Sequence, residues 1–395
     1  MTQSQHTTNL KDLLLKCMAQ PDPLLYLLQA LCTMLMEAEV SQKVGAEKSQ
    51  RTGKRSGYRC GYRARRLDTR MGTIYLMVPK IRNGGYVPFF VTRYKRSEAA
   101  LIQVVQEAFV QGVSTRKMEK LVKSLGIENL SRSQVSEMAK GLNEEVEAFR
   151  NRSLANLKYP VLWADALYEK VRVGGRVINM AVLVVCGVNE EGTREILAIE
   201  PMMEESEDSY LTLFRSLRER GLATPQLVIS DAHVGLAAAI RKGFPGASWQ
   251  RCKVHFMRNI LAHVPQREKL PFSQQLKTIW QAPTKELAIK RAEEVMDTYG
   301  KRFPRAIQCL ENGLEDSLSF YAFPQLDPRK ISTTNMLERL NKEIRRRTRV
   351  VGIFPNPESY IRLVTAHLIE YAEDWSTAGV YMKSQSLQDL CRIPA

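Results

Sequence analysis

Residues 161–202 run VLWADALYEKVRV, GGR, VINMAVLVVCGV, NEEG and TREILAIEPM. Three apolar, β-branched runs broken at Gly174-Gly175 and Glu191-Gly192 predict consecutive strands joined by tight turns, because glycine reaches the positive-φ conformations that such turns need. A helical pattern follows from about Ser206 to Gly221, and then a short apolar strand, QLVIS (226–230), that ends at Asp231. Next come a helix from about His233 to Phe244, a further strand SWQRC (248–252), and a helix that starts near His255.

A three-strand meander followed by alternating helix and strand is the order of an RNase H-like mixed sheet, so the expected fold class is α/β. Residues 261–327, with text such as LKTIWQAPTKELAIKRAEEVMDTYGKRF, are helical throughout and read as an insertion. The core is thus expected at 155–260 and 328–395, its last long helix starting after the cap candidates Ser332, Thr333 and Thr334 and carrying TNMLERLNKEIRRRTR.

Upstream, residues 1–50 predict two short amphipathic helices, the second from about Leu24 to Glu39, for packing or dimerisation. Residues 51–96 hold thirteen Lys and Arg against one acid, Asp68, interleaved with tyrosine and phenylalanine and with one alternating strand, TIYLMVPKI (73–81). A surface of that kind holds phosphates and stacks on bases or sugars, though a solvated basic loop has the same composition. Residues 97–150 read as helices with a turn near Gly126 and a cap near Ser131, the layout of a helix-turn-helix and equally of any helical hairpin.

Charge narrows the partner. The chain carries 58 Lys and Arg against 42 Asp and Glu, a formal +16, so a polyanion is favoured through counterion release. The longest apolar stretch, LLYLLQALCTMLM (24–36), is interrupted by Gln29 and Thr33 and reads as too short to span a bilayer; no membrane partner is expected. Seven scattered cysteines without CxxC spacing fit a reduced cytoplasm.

Three acids stand out on this scaffold. Asp165 shares a strand face with Val161, Trp163 and Leu167, where an uncompensated charge would be costly. Asp231 ends the fourth strand, which in this topology lies beside the first. Glu338 sits in the first turns of the last helix, next to the apolar stripe Leu337, Leu340, Ile344 and on the polar face of Asn335, Lys342 and Arg345. Three carboxylates around one cleft suit two Mg²⁺ ions, with Mn²⁺ as substitute, and such a pair serves phosphoryl transfer. Singly, each acid has a plainer role: a turn bond for Asp165, a helix cap for Asp231, a surface pair with Lys342 for Glu338.

WADALYEKVR, VISDAHVGL, WQRCKVHFMRNI and STTNMLERLNKEIRRRTRVVGIFPN, with GYRCGYRARRLDTRMGTIYLMVPKIRNG and VQGVSTRKMEKLVKSLG upstream, resemble the Mutator-type family of bacterial insertion-sequence transposases over nearly the whole chain. The resemblance implies a DDE transposase of the bacterial cytoplasm, at the nucleoid, that binds terminal inverted repeats through its amino-terminal region, with Asp165, Asp231 and Glu338 as catalytic carboxylates. It also implies a C/D-x-x-H motif, matched by Cys252 and His255, with His255 approaching the catalytic pocket. One Cys and one His, even joined by His263, fall short of a zinc site.

Candidate DNA contacts are Arg55, Arg59, Arg63, Arg65 and Arg66 in the basic segment, Arg116, Lys117 and Arg132 in the helical pair, Arg251, and Lys342, Arg345, Arg346, Arg347 and Arg349 beyond Glu338. Trp280 either packs in the insertion or stacks on a DNA base. Expected partners are double-stranded DNA, both inverted repeats and target, and a second copy of the chain, since two ends must be held together. No small-molecule cofactor is expected. A catalytically silent DNA-binding regulator is the rival from another class, and a nuclease of the same fold the rival within it.

Overall fold

The computed structural model describes residues 3–53, 55–82, 85–91, 97–128 and 130–392, without the side chains of residues 3–10, 115, 116 and 132. Lys54, Arg93, Tyr94, Lys95 and Arg96, and the side chains of Arg116 and Arg132, therefore lie outside the described residues. The chain divides into two compact units, Met1–Gly141 and Leu142–Ala395.

The first unit opens with α1 (Gln3–Met18) and α2 (Pro23–Val44). Asp22 caps α2 by accepting from the Leu25 amide at 3.0 Å, and Pro23 starts it without losing a needed donor. At 22 residues α2 runs past Glu39, which corrects the expectation of a short helix: it is long and apolar enough to cross a bilayer. Its buried face, Cys32, Met36, Val40 and Val44, packs instead on a two-stranded sheet of β1 (Arg59–Thr69) and β2 (Gly72–Ile81), while Glu37 and Glu39 accept from Tyr62 and Tyr86 at 2.6 and 2.5 Å.

The sequence reading found β2 and missed β1, because arginines at 59, 63, 65 and 66 hide its alternation. The segment's one acid, Asp68, is fully buried and accepts from Arg66 Nε (2.9 Å) and Thr73 Oγ1 (2.8 Å). Helices α3 (Ala99–Val110), α4 (Thr115–Ser124) and α5 (Arg132–Ala139) follow, capped at Ser114 and by a Ser131–Gln134 capping box. They close on Leu101, Val105, Met118, Val122, Ile127 and Val135.

In the second unit α6 (Asn143–Asn151) precedes β3 (Val161–Val173), β4 (Arg176–Val188) and β5 (Arg194–Met202). Gly174 and Gly175 take φ +56° and +81° in the β3–β4 turn, the pair of left-handed residues that a tight hairpin requires. Then come α7 (Glu207–Glu219), β6 (Leu227–Ser230), α8 (Val234–Gly243), β7 (Ser248–Arg251) and α9 (Lys253–Ala262). The sheet order is β5-β4-β3-β6-β7, antiparallel from β5 to β3 and parallel from β3 to β7, so the protein is a mixed α/β fold. Tyr210, Phe214, Leu217, Ile240 and Phe244 of α7 and α8 and the segment after α8 cover one sheet face with Leu162, Leu183 and Val228.

Five helices, α10 (Lys269–Trp280), α11 (Lys285–Tyr299), α12 (Pro304–Glu311), α13 (Leu314–Ser317) and α14 (Pro328–Ile331), fill the next stretch without a strand. Buried Gln250 of β7 fastens them to the sheet, donating to the Ser317 carbonyl at 2.9 Å and accepting from the Phe320 amide at 2.7 Å. Trp280 is interior: 7% exposed, edge-on to Phe256 and donating to Ser317 Oγ at 3.0 Å.

Helix α15 (Asn335–Thr348) carries Glu338 but is not the last, since α16 (Pro357–Thr377) and α17 (Ser384–Cys391) follow. Every residue from Tyr360 to Leu368 of α16 is buried, and α16 packs on β5, α6 and α15. Helix α6 thereby belongs to the second unit, and the division falls at 141/142, inside the 97–150 segment.

Candidate active site

Strand register builds the site. Ala164 of β3 pairs with Ser230 of β6, and Ser230 with Arg251 of β7. The next residues along the three parallel strands are Asp165, Asp231 and Cys252, so the sheet presents two carboxylates and a thiol in one row. On the other side α15 runs along β3, Asn341 Nδ2 donating to Asp165 Oδ2 (2.8 Å) and Thr348 Oγ1 to Glu169 Oε1 (2.8 Å). Glu338 is one turn before Asn341 on the same face. Asp165, Asp231, Glu338 and His255 thus line one cleft of about 500 Å³, with Asn341, Arg258, Lys342, Arg345, Arg346 and Arg349 also in its wall.

Asp165 is 8% exposed, and burial pushes its carboxyl up to about 7; Asp231 and Glu338 push the same way, against the pull of His255. His255 is pushed up to about 9, first by its hydrogen bond with Cys252, with the two aspartates adding to it. Burial raises the Cys252 thiol, but His255 and Thr334 together outweigh it and hold the thiol low. A protonated His255 then pairs with Glu338, Nε2 to Oε1 at 3.2 Å, and Arg258 reaches the same oxygen at 3.5 Å.

These contacts also occupy the acids. Asp231 Oδ1 accepts the Ala232 amide at 2.6 Å, Asp165 holds Asn341, and Glu338 leans toward His255 and Arg258. Among the described residues no three His, Cys, Asp or Glu stand close enough to grip a metal ion, so the expected metal set shares a cleft without ligand geometry. The donor set nonetheless fits a hard cation: three carboxylates, one of them a buried group whose charge a cation would stabilise.

Of the expected DNA contacts beyond Glu338, Lys342, Arg345, Arg346 and Arg349 line the cleft. Arg347 does not: it is half-buried on the side of His367. Arg251 is half-buried with its guanidinium 4.0 Å from the centre of the Phe256 ring, and it does not line the cleft although it feels the charge of Asp231. Arg59 is engaged internally, donating to the Ala46 carbonyl (3.0 Å) and Ser41 Oγ (2.7 Å) beside Glu37. Arg66 holds Asp68, Arg65 is half-buried, Arg55 leans on Tyr58, Arg63 is exposed with one bond to the Tyr86 carbonyl, and Lys117 is exposed. Asn341, Thr334 and Arg258 were missed by sequence reasoning; Asn341 lay one turn from Glu338, which was the only signal.

Fold and cleft define a mixed α/β protein whose acids and arginines share one hollow at the strand ends. The family model for transposases of the Mutator family matches residues 1–378, and the chain belongs to that family. It is similar to the transposase for insertion sequence element IS1081 of Mycobacterium tuberculosis, 44% identical over 382 residues, 96% of this chain and 92% of the relative. It is similar also to that for ISRM5 of Rhizobium meliloti (40% over 379 residues, 96% and 94%) and to that for IS256 in transposon Tn4001 of Staphylococcus aureus (36% over 351 residues, 88% and 90%).

Proposed function

We propose that this chain is a DDE transposase with an RNase H-like core, binding the terminal inverted repeats of an insertion sequence, cleaving there and joining the freed end to target DNA. The observation that carries this is the register of β3 on β6, which sets Asp165 and Asp231 side by side, with Glu338 brought to the same cleft by α15. The order of meander and parallel strands supports the core assignment. Family membership supports the transposase role.

Asp165, Asp231 and Glu338 would hold two Mg²⁺, with Mn²⁺ as substitute, and bound there the ions supply activation of the attacking oxygen and stabilisation of the leaving one. The protein's own residues do the rest. Asn341 orients Asp165, and the His255–Arg258 pair steers Glu338. Lys342, Arg345, Arg346 and Arg349 offset phosphate charge and keep the strand in the cleft. Water oxygen attacks phosphorus and the P–O3′ bond breaks; the released 3′-oxygen then attacks a target phosphorus, and a target P–O bond breaks in turn. Exposed Lys117 and Arg63 of the first unit belong to the surface that would hold the repeats, and two copies of the chain hold two ends.

Purified protein, labelled duplexes carrying the element's ends, and Mg²⁺ test this. Cleavage followed by joining is expected; cleavage without joining makes the protein a nuclease, and binding without cleavage makes it a regulator.

A further inference from the structure

The four residues after Arg349, Val350-Val351-Gly352-Ile353, carry three β-branched aliphatic side chains into solvent, at 43%, 38% and 45% exposure. The tip is rigid. Val351 and Gly352 amides donate to the Thr348 carbonyl at 3.0 and 3.2 Å, and the returning chain is zipped to β3 by Phe354 N to Lys170 O (3.0 Å) and Arg172 N to Phe354 O (2.9 Å). Phe354 anchors it, 2% exposed and edge-on to Tyr360 at 5.0 Å. Gly352 makes the turn at φ +75°, where an added Cβ would meet nothing within 4 Å, so conformation and not crowding calls for glycine.

Cations stand on one side of this apolar tip, together with one acid, Glu169. Arg345 and Arg349 line the carboxylate cleft and also a second hollow of about 330 Å³, whose wall includes Lys170 and Asn179. Cation and aliphatic side by side suit a polyanion with an apolar interior, which is a DNA duplex or an acidic lipid surface. Continuity of the cations with the carboxylate cleft favours DNA, because one strand can then run from the cleft past the tip. Aliphatic side chains that enter a duplex unstack a base step and bend the helix, and a tip already held rigid loses little freedom on entry.

We propose that Val350, Val351 and Ile353 form a wedge that enters double-stranded DNA beside the carboxylate cleft and unstacks one base step there. It rests on the cleft being the DNA-processing site proposed above.

The test uses the full chain and duplexes carrying the element's ends, with 2-aminopurine placed at successive positions. Wild type is expected to raise fluorescence at one or two adjacent positions. The Val350→Ser/Val351→Ser variant is expected to lose that rise and to cleave paired DNA about tenfold more slowly, recovering to within about twofold when a mismatch is built in at that step. Val351→Phe, which keeps the apolar bulk, retains the rise. Circular dichroism melting confirms that the exposed substitutions leave the fold intact.

No position-specific rise with wild type, or a serine variant that cleaves paired DNA at the wild-type rate, overturns the wedge. A binding loss in the serine variant confined to phosphatidylglycerol vesicles overturns it in favour of a lipid surface. A rise with wild type in the absence of any cleavage leaves the wedge standing and removes the catalytic proposal instead.

Discussion

Cys252 Sγ accepts two hydrogen bonds from Thr334, one from the amide and one from the hydroxyl, each at 3.3 Å. The thiol at the end of β7 thus holds the start of the helix that carries Glu338, and Thr334, whose side chain makes no helix cap, is turned to this use. With His255 bridging from Cys252 to Glu338, the acid is steered from two directions.

Removing that sulfur should therefore loosen Glu338 without touching it. If Glu338 holds an ion as proposed, Cys252→Ala is expected to slow cleavage of labelled ends about 10- to 100-fold, the usual cost of losing an outer support of such a group. Cys252→Asp, which restores an acceptor for Thr334 and a partner for His255, should recover most of the rate. Single-turnover rates at saturating DNA, with melting curves alongside, check this.

Asn341 supplies a hydrogen bond to Asp165, a carboxyl that burial has already pushed up to about 7. Donation to the charged form favours ionisation, so its loss moves the carboxyl further up. Asn341→Leu should shift the acid limb of the cleavage pH profile upward by about one pH unit, the scale of a bond to a charged group. An unmoved limb would detach Asn341 from Asp165.

His367 is 5% exposed, its ring nitrogens make no hydrogen bond, and it is pushed down to about 4 by burial and then by Arg347 and Arg346, while Glu343 pulls the other way and Glu370 stands 3.8 Å off. The unfolded chain binds a proton to this ring near pH 6.5, the folded chain only near 4, so its contribution to stability falls as pH drops through that window. His367→Leu should flatten the loss of melting temperature between pH 6.5 and about 4, while wild type declines. Equal slopes would contradict the placement.

Arg59, expected as a DNA contact, joins β1 to Ser41 of α2 and to Ala46 just after it. Arg59→Ala is expected to destabilise the protein by about 1–3 kcal/mol, because it removes hydrogen bonds of a charged group that is largely buried. DNA affinity measured well below the melting temperature should hardly change. Loss of affinity at unaltered stability would make it a DNA contact instead.

Where apolar periodicity was unbroken, sequence reading and structure agree: β3, β4 and β5, β6 ending just before Asp231, and the strandless stretch after α9. Strand register, which makes Asp165 and Asp231 neighbours, follows from β6 pairing with β3, a topological inference open to the sequence. Long-range polar contacts were not legible. Nothing in NMLERLNKEI marks Asn341 as the residue that meets a strand 176 positions earlier, since a buried and a solvated asparagine look alike in a helix. Helix α16 escaped for a related reason: its middle, Tyr360–Leu368, is buried on every side, so no polar face sets a period there, and it carries Arg362 and His367 inside. Strand β1 was masked by its arginines, whose heads find partners far off in sequence or close by: Arg59 at Ala46 and Ser41, Arg63 at the Tyr86 carbonyl, Arg66 at Asp68.

The most direct measurement of the central claim is the cleavage rate of end-labelled DNA by three single variants, Asp165→Asn, Asp231→Asn and Glu338→Gln, alongside their DNA affinity. Each should fall by about three orders of magnitude or more while binding the duplex as wild type does, because each removes one carboxylate from the two-ion site proposed for this cleft. Wild-type cleavage by any one of them would contradict the assignment of that cleft.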